Sequence, residues 1–157
     1  MYIVIDINTF PCVFEKNSKC HHEFSPILDL IDQGRGVIVY GGSKYKEELR
    51  RANKFLKIFR LLKEQNKVCE VDQFLVDERE ILLIAQTQGS DCDDQHIIAI
   101  LGISRCGLLC SADKRSFKFV KDRRLYPSNC SRPKIYTGKL HKGLLTQRTN
   151  ARLLNVH

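Results

Sequence analysis

The chain has 157 residues, 43% of them hydrophobic and 8% aromatic, and a formal net charge of +8. That length holds one hydrophobic core with too little left for a second, and the composition excludes a chain disordered throughout. The longest apolar run, from His96 to Ser104, falls well short of the ~20 residues of a membrane span and ends at Arg105.

The first element is Tyr2-Ile3-Val4-Ile5, a short β-branched run that predicts a buried strand and meets Asp6 directly. No basic residue precedes this run, so no secretory signal is expected and the cytoplasm is the expected compartment. Ser25-Pro26 predicts a helix start, with the helix stopping at Gly34. Val37-Ile38-Val39-Tyr40 predicts a second strand closed by Gly41-Gly42, and Ser43 opens one long helix reaching about Gln65. Val68 to Val71 predicts a third strand. Asp77 and Glu80 resemble a capping box ahead of Ile81 to Ala85. Residues 91–105 predict a buried helix broken at Gly107, Leu108 to Ser111 a fourth strand, and Lys134 to Thr137 a fifth. Strands alternating with helices give an α/β fold with a mainly parallel sheet, whose ligands bind off the carboxyl ends of the strands.

Charge is unevenly placed. Of the 26 basic residues, 18 precede residue 123 and are matched there by all 18 acids. Arg123, Arg124, Arg132, Lys134, Lys139, Lys142, Arg148 and Arg152 follow with no acid among them. A balanced body with a basic end points to a polyanion, nucleic acid ahead of membrane; a solvated tail with no partner is the plain alternative. The seven cysteines, an odd number, are expected to be reduced thiols. Cys12, Cys20, His21 and His22 cluster, but their spacing fits no standard zinc finger.

Four acids could meet. Asp6 follows the first strand and Asp113 the fourth, at one edge of a parallel sheet. Asp94 lies in the first turn of the buried helix. At ~100° per residue, Tyr45, Leu49, Ala52, Leu56 and Phe59 form one apolar stripe. Glu48 falls on its edge, whereas Glu47 points towards Arg50 and Arg51 as a surface ion-pair partner. Carboxylates without a matching histidine or cysteine set suit a hard cation, Mg²⁺ or Mn²⁺. One or two such ions can hold a phosphodiester and activate water. Taken singly, each acid has an ordinary role: Asp91, Asp93 and Asp94 as helix caps, Asp6 and Asp113 as turn formers, Glu48 as a partner of Arg51.

Together these residues resemble the PIN-domain family. Ile3-Val4-Ile5-Asp6-Ile7-Asn8 is similar to its opening strand, Glu48-Leu49 to its helical glutamate, and Asp93 to Ala99 followed by Leu108 to Asp113 to its second half. The resemblance covers residues 1–137 and leaves 138–157 as a basic C-terminal extension. It implies a three-layer α/β/α fold and a metal-dependent endonuclease, usually acting on RNA, with Asp6, Glu48, Asp94 and Asp113 as metal ligands. Asn8 and Ser111 would be supporting polar groups, and Arg123, Arg124, Arg132, Lys134, Lys139 and Lys142 would bind the nucleic acid. It also makes plausible a toxin with a separate antitoxin, and a homodimer. The alternatives are a non-catalytic RNA-binding module of the same fold and a nuclease for DNA.

Overall fold

The computed structural model describes residues 1–146. Five strands run parallel in one sheet: β1 (Tyr2–Ile5), β2 (Val37–Gly41), β3 (Val68–Val71), β4 (Leu108–Cys110) and β5 (Lys134–Tyr136), in the spatial order β3-β2-β1-β4-β5. The fold is α/β, with helices on both faces. Right-handed crossovers put the segments leading outward from β1 to β3 on one face and those returning to β4 on the other. On the first lie α1 (Phe10–Phe14), α2 (His21–Asp32), α3 (Ser43–Arg51) and α4 (Asn53–Glu64); on the second, α5 (Gln73–Gln86) and α6 (Gln95–Ser104). Packing agrees: Phe10 of α1 meets Phe55 and Phe59 of α4 at ring distances of 5.8 and 6.4 Å. A short α7 (Phe117–Val120) joins β4 to β5.

β1 is the central strand, buried from Ile3 to Ile5, because it is covered by helices on both faces and by β2 and β4 at its edges. The chain moves outward from β1 to β3, then crosses back to β4. The carboxyl ends of β1 and β4 therefore flank the point where the strand order reverses, the usual crevice for a ligand in such sheets. Among the described residues no helix is long and apolar enough to cross a membrane.

Several element boundaries differ from the sequence expectation, each for a local reason. The helix expected from Ser25 begins at His21, and Pro26 lies inside it; the Ser25 hydroxyl donates to the His22 carbonyl at 3.4 Å, on the turn where proline has no N–H to offer. The long helix expected over residues 43–65 divides at Ala52 (φ −85°, ψ 58°). The break rotates the second half so that Phe55, Phe59 and Leu62 are the buried positions, in place of a stripe through Leu56. Asp72, not Asp77, caps α5, accepting from the Leu75 N–H at 3.1 Å. Asp77 instead reaches across to α3 and accepts from the backbone N–H and hydroxyl of Ser43 (2.7 and 2.6 Å), an anion at a helix N-terminus. α6 starts only at Gln95, and Asp91 pairs with Lys118 rather than capping it.

The expectation of reduced thiols is corrected at one pair. Cys12 and Cys20 form a disulfide, because the end of α1 and the turn into α2 bring their Cα atoms to 4.9 Å. Their sulfurs are thereby unavailable to zinc. His21 contacts the Cys12 carbonyl through Nδ1 at 3.0 Å. Of the C-terminal extension, the described part folds back: a 3-10 segment, Lys139–Leu145, buries Leu145, and the Glu23 carboxylate accepts from the Lys139 N–H at 2.9 Å. Arg148 and Arg152 lie outside the described residues.

Candidate active site

Asp6 leaves β1 in extended conformation and caps a 3-10 turn, Ile7–Thr9. Its Oδ1 accepts from the Asn8 backbone N–H (3.1 Å) and its Oδ2 from the Ser111 hydroxyl (3.0 Å). Burial pushes this carboxyl up, while those two hydrogen bonds and nearby His96 pull it down; the net direction is up. Ser111, fully enclosed beyond β4, also accepts from the Asp113 N–H at 3.1 Å, so one hydroxyl ties the ends of β1 and β4 together. The Asn8 side chain is exposed, and only the backbone of that residue serves Asp6.

Asp94 occupies the N-cap position of α6 but makes no capping bond, and its Oδ2 is buried with no hydrogen-bond partner. Its carboxyl is pushed up to about 6, first by burial, then by the negative charges of Asp6 and Asp93, with Asp113 adding to them. Glu48 behaves oppositely. Burial would raise it, but His96 and the cations Lys44 and Arg51 outweigh that and hold it low. The Nε2–H of His96 donates to Glu48 Oε2 at 3.1 Å. Glu47 faces away and pairs with Arg51, as its helical position requires.

Asp113 is also held low, because Arg115 binds it from both side chain and backbone: Nη2 to Oδ2 at 3.2 Å and the Arg115 N–H to Oδ1 at 3.0 Å. The same guanidinium lies 4.0 Å from Asp93. Thus Asp6 and Asp94 remain mutually repelling, while Glu48 and Asp113 each have a protein partner.

Three further residues shape the site and were not among the expected site residues. His96 is buried in the first turn of a largely apolar helix, two positions after Asp94; a polar ring there, opposite an inward-facing glutamate, was the available signal. Tyr45 is wholly buried and donates to the Ile5 carbonyl at 2.7 Å, fixing α3 against the last residue before Asp6. Glu80 of α5 is half-buried, raised by burial, and lies within reach of the charges of His96, Lys44 and Glu48.

By chemistry this donor set fits a hard divalent cation: all-oxygen carboxylates, one of them with a buried unpaired oxygen and a raised pKa. By geometry, no group of three His, Cys, Asp or Glu side chains among the described residues is arranged to hold a metal ion. The basic residues divide as well. Arg123 donates to the carbonyls of Tyr126, Pro127 and Ser128, and Arg124 pairs with Asp122, so both serve local structure. Lys139 contacts His22, whereas Arg132, Lys134 and Lys142 are exposed.

No family model matches the chain, and neither a curated protein nor a solved structure does.

Proposed function

We propose that the chain is a metal-dependent endonuclease of the PIN-domain type, acting on RNA. The observation that carries this reading is the buried, unpaired oxygen of Asp94, on a carboxyl raised by burial and by Asp6. Leaving such a group uncompensated is costly, and a site that retains it has a use for concentrated negative charge. Its position at the strand-order reversal supports the same reading.

On this reading Asp6, Glu48, Asp94 and Asp113 would supply the ligands of the ion, Mg²⁺ or Mn²⁺, and their side chains would have to draw together to do so, since no three of them converge in the structure described. When bound, that ion supplies positive charge opposite the phosphodiester and a water of lowered pKa. The chain's own part is orientation. The Asn8 N–H and Ser111 hydroxyl fix both oxygens of Asp6, and Tyr45 holds α3, and with it Glu48, against the end of β1. His96 keeps Glu48 anionic and aimed inward. Hydrolysis leaving a 5′-phosphate, an antitoxin partner and pairing of two copies are carried by the resemblance. The outward face of α5, where Phe74, Ile81, Leu82 and Ile84 are exposed, supports a protein partner.

Incubating the full chain with mixed tRNA, mRNA and single-stranded DNA, with and without Mn²⁺, tests the reading. Cleavage that needs Mn²⁺, stops in EDTA and is lost in Asp6→Asn is expected; cleavage surviving excess EDTA would overturn it. A second reading, a non-catalytic RNA-binding module, is favoured by one observation: Arg115 and His96 already engage two of the four acids. On that reading RNA binds but added Mn²⁺ changes nothing.

A further inference from the structure

A cleft of about 530 Å³ lies along β5, the edge strand next to β4. Its lining includes Lys121, Arg132, Lys134 and His141 and, among the described residues, no acidic one. The closest acid in sequence, Asp122, is turned to Arg124. Phe117, Pro133, Ile135 and Leu144 give the cleft an apolar floor. The His141 ring is oriented by Thr137: a backbone N–H can only donate, so the Thr137 N–H at 3.4 Å makes Nδ1 the acceptor. The neutral ring then carries its proton on Nε2, where it is a donor.

One end of the cleft adjoins the strand ends that carry the acidic centre. The Ser111 N–H donates to the Tyr136 carbonyl at 3.2 Å, so the carboxyl end of β5 adjoins the hydroxyl that holds Asp6. From Thr137 at that end, the lining runs along β5 to Arg132 at the other. Phe117 follows Asp113 by four residues. The volume suits one nucleotide unit, with an unstacked base on the apolar floor and the flanking phosphates on the cations.

We propose that this cleft binds a single strand of nucleic acid, with Lys121, Arg132 and Lys134 on its phosphates and His141 donating to the same strand. This rests on the nucleic-acid part of the reading above, not on cleavage. It departs from the charge count in two ways: Arg123 and Arg124 are excluded because they do not line the cleft, and Lys121, which precedes the acid-free stretch, is included because it does.

Fluorescence anisotropy on the full chain in EDTA tests it, using labelled 12-nucleotide single strands of RNA and DNA, an RNA duplex of equal length, free uridine monophosphate and polyglutamate. The triple variant K121A/R132A/K134A should bind single-stranded RNA at least tenfold more weakly at 100 mM salt. Its slope of log affinity against log salt should fall by about 2, since each single-strand phosphate contact contributes ~0.7. The control K57A/R60A/K63A removes the same charge from α4 and should stay within twofold of the parent. Circular dichroism and urea midpoints establish that both triples fold, and the single variant K134A, expected to lose threefold or more, gives the reading if the first triple does not. DNA bound like RNA supports a backbone-and-base site without 2′-hydroxyl recognition. Equal losses in the two triples, or a duplex, polyglutamate or the free nucleotide binding as tightly as the strand, would overturn the proposal. A chain that binds through this cleft yet never cleaves sinks the nuclease reading alone. One that cleaves while the triple variant binds unchanged sinks this inference alone.

Discussion

Ser111 and Asp6 stand 105 positions apart in sequence and share a buried 3.0 Å hydrogen bond. The same hydroxyl accepts from the Asp113 N–H, so removing it frees two groups at once. Ser111→Ala should lower stability by about 1–3 kcal/mol, read from the urea midpoint, because buried partners are left unsatisfied. Asn8→Ala should change stability by less than about 0.5 kcal/mol, since its exposed side chain is not what holds Asp6. Equal effects would show that the Asp6 orientation does not depend on Ser111.

Asp94 should make the protein less stable as pH rises. Its folded pKa of about 6 lies above its ordinary 3.8, so the folded state holds the proton more tightly. The stabilisation is fully present below pH 3.8 and is lost as pH rises through 6. Discounted for partial exposure to solvent, the effect is on the order of 1–2 kcal/mol. Asp94→Asn should therefore be more stable than the parent at pH 7.5 and gain nothing at pH 4. Parallel urea midpoints across that range would contradict the burial and charge repulsion assigned to it.

Arg115 competes with any cation for Asp113. Its ion pair is largely exposed, so Arg115→Ala should leave the urea midpoint essentially unchanged. The same change should tighten Mn²⁺ binding severalfold in a calorimetric titration, by freeing both Asp113 oxygens. Weaker Mn²⁺ binding in the variant would place Asp113 outside the cation site.

Reducing the Cys12–Cys20 bond should lower the urea midpoint. The bond closes a loop of sequence separation 8, for which chain entropy gives about 2–3 kcal/mol. Dithiothreitol should shift the parent and leave C12A/C20A unmoved. A parent indifferent to reductant would mean that α1 and α2 are held by packing alone.

The strands were legible because runs such as Val37 to Tyr40 are short, β-branched and bounded by glycine, a pattern with few other solutions. Helical spacing separated Glu47 from Glu48, and the structure places the first on Arg51 and the second on His96. Less legible was whatever depends on a distant partner. Asp77 reads as a local cap, yet its partner is Ser43 on another helix. Ala52 carries no helix-breaking signal, and the division there follows from where Phe55 and Phe59 find Phe10. Nothing in the sequence sets Arg115 apart from other surface charges, and its hold on Asp113 depends on the closing of the turn after β4. The pairing of Cys12 with Cys20 required knowing that two helices turn back on each other.

The central position of β1 also constrains the order of assembly. β1 and β2 can pair as soon as β2 has been made, but the other edge of β1 stays unpaired until β4 has been made. Asp6 meets Ser111 only then. A nascent chain halted before residue 108 therefore carries an open strand edge and an unfinished acidic centre, which makes the incomplete product prone to aggregate.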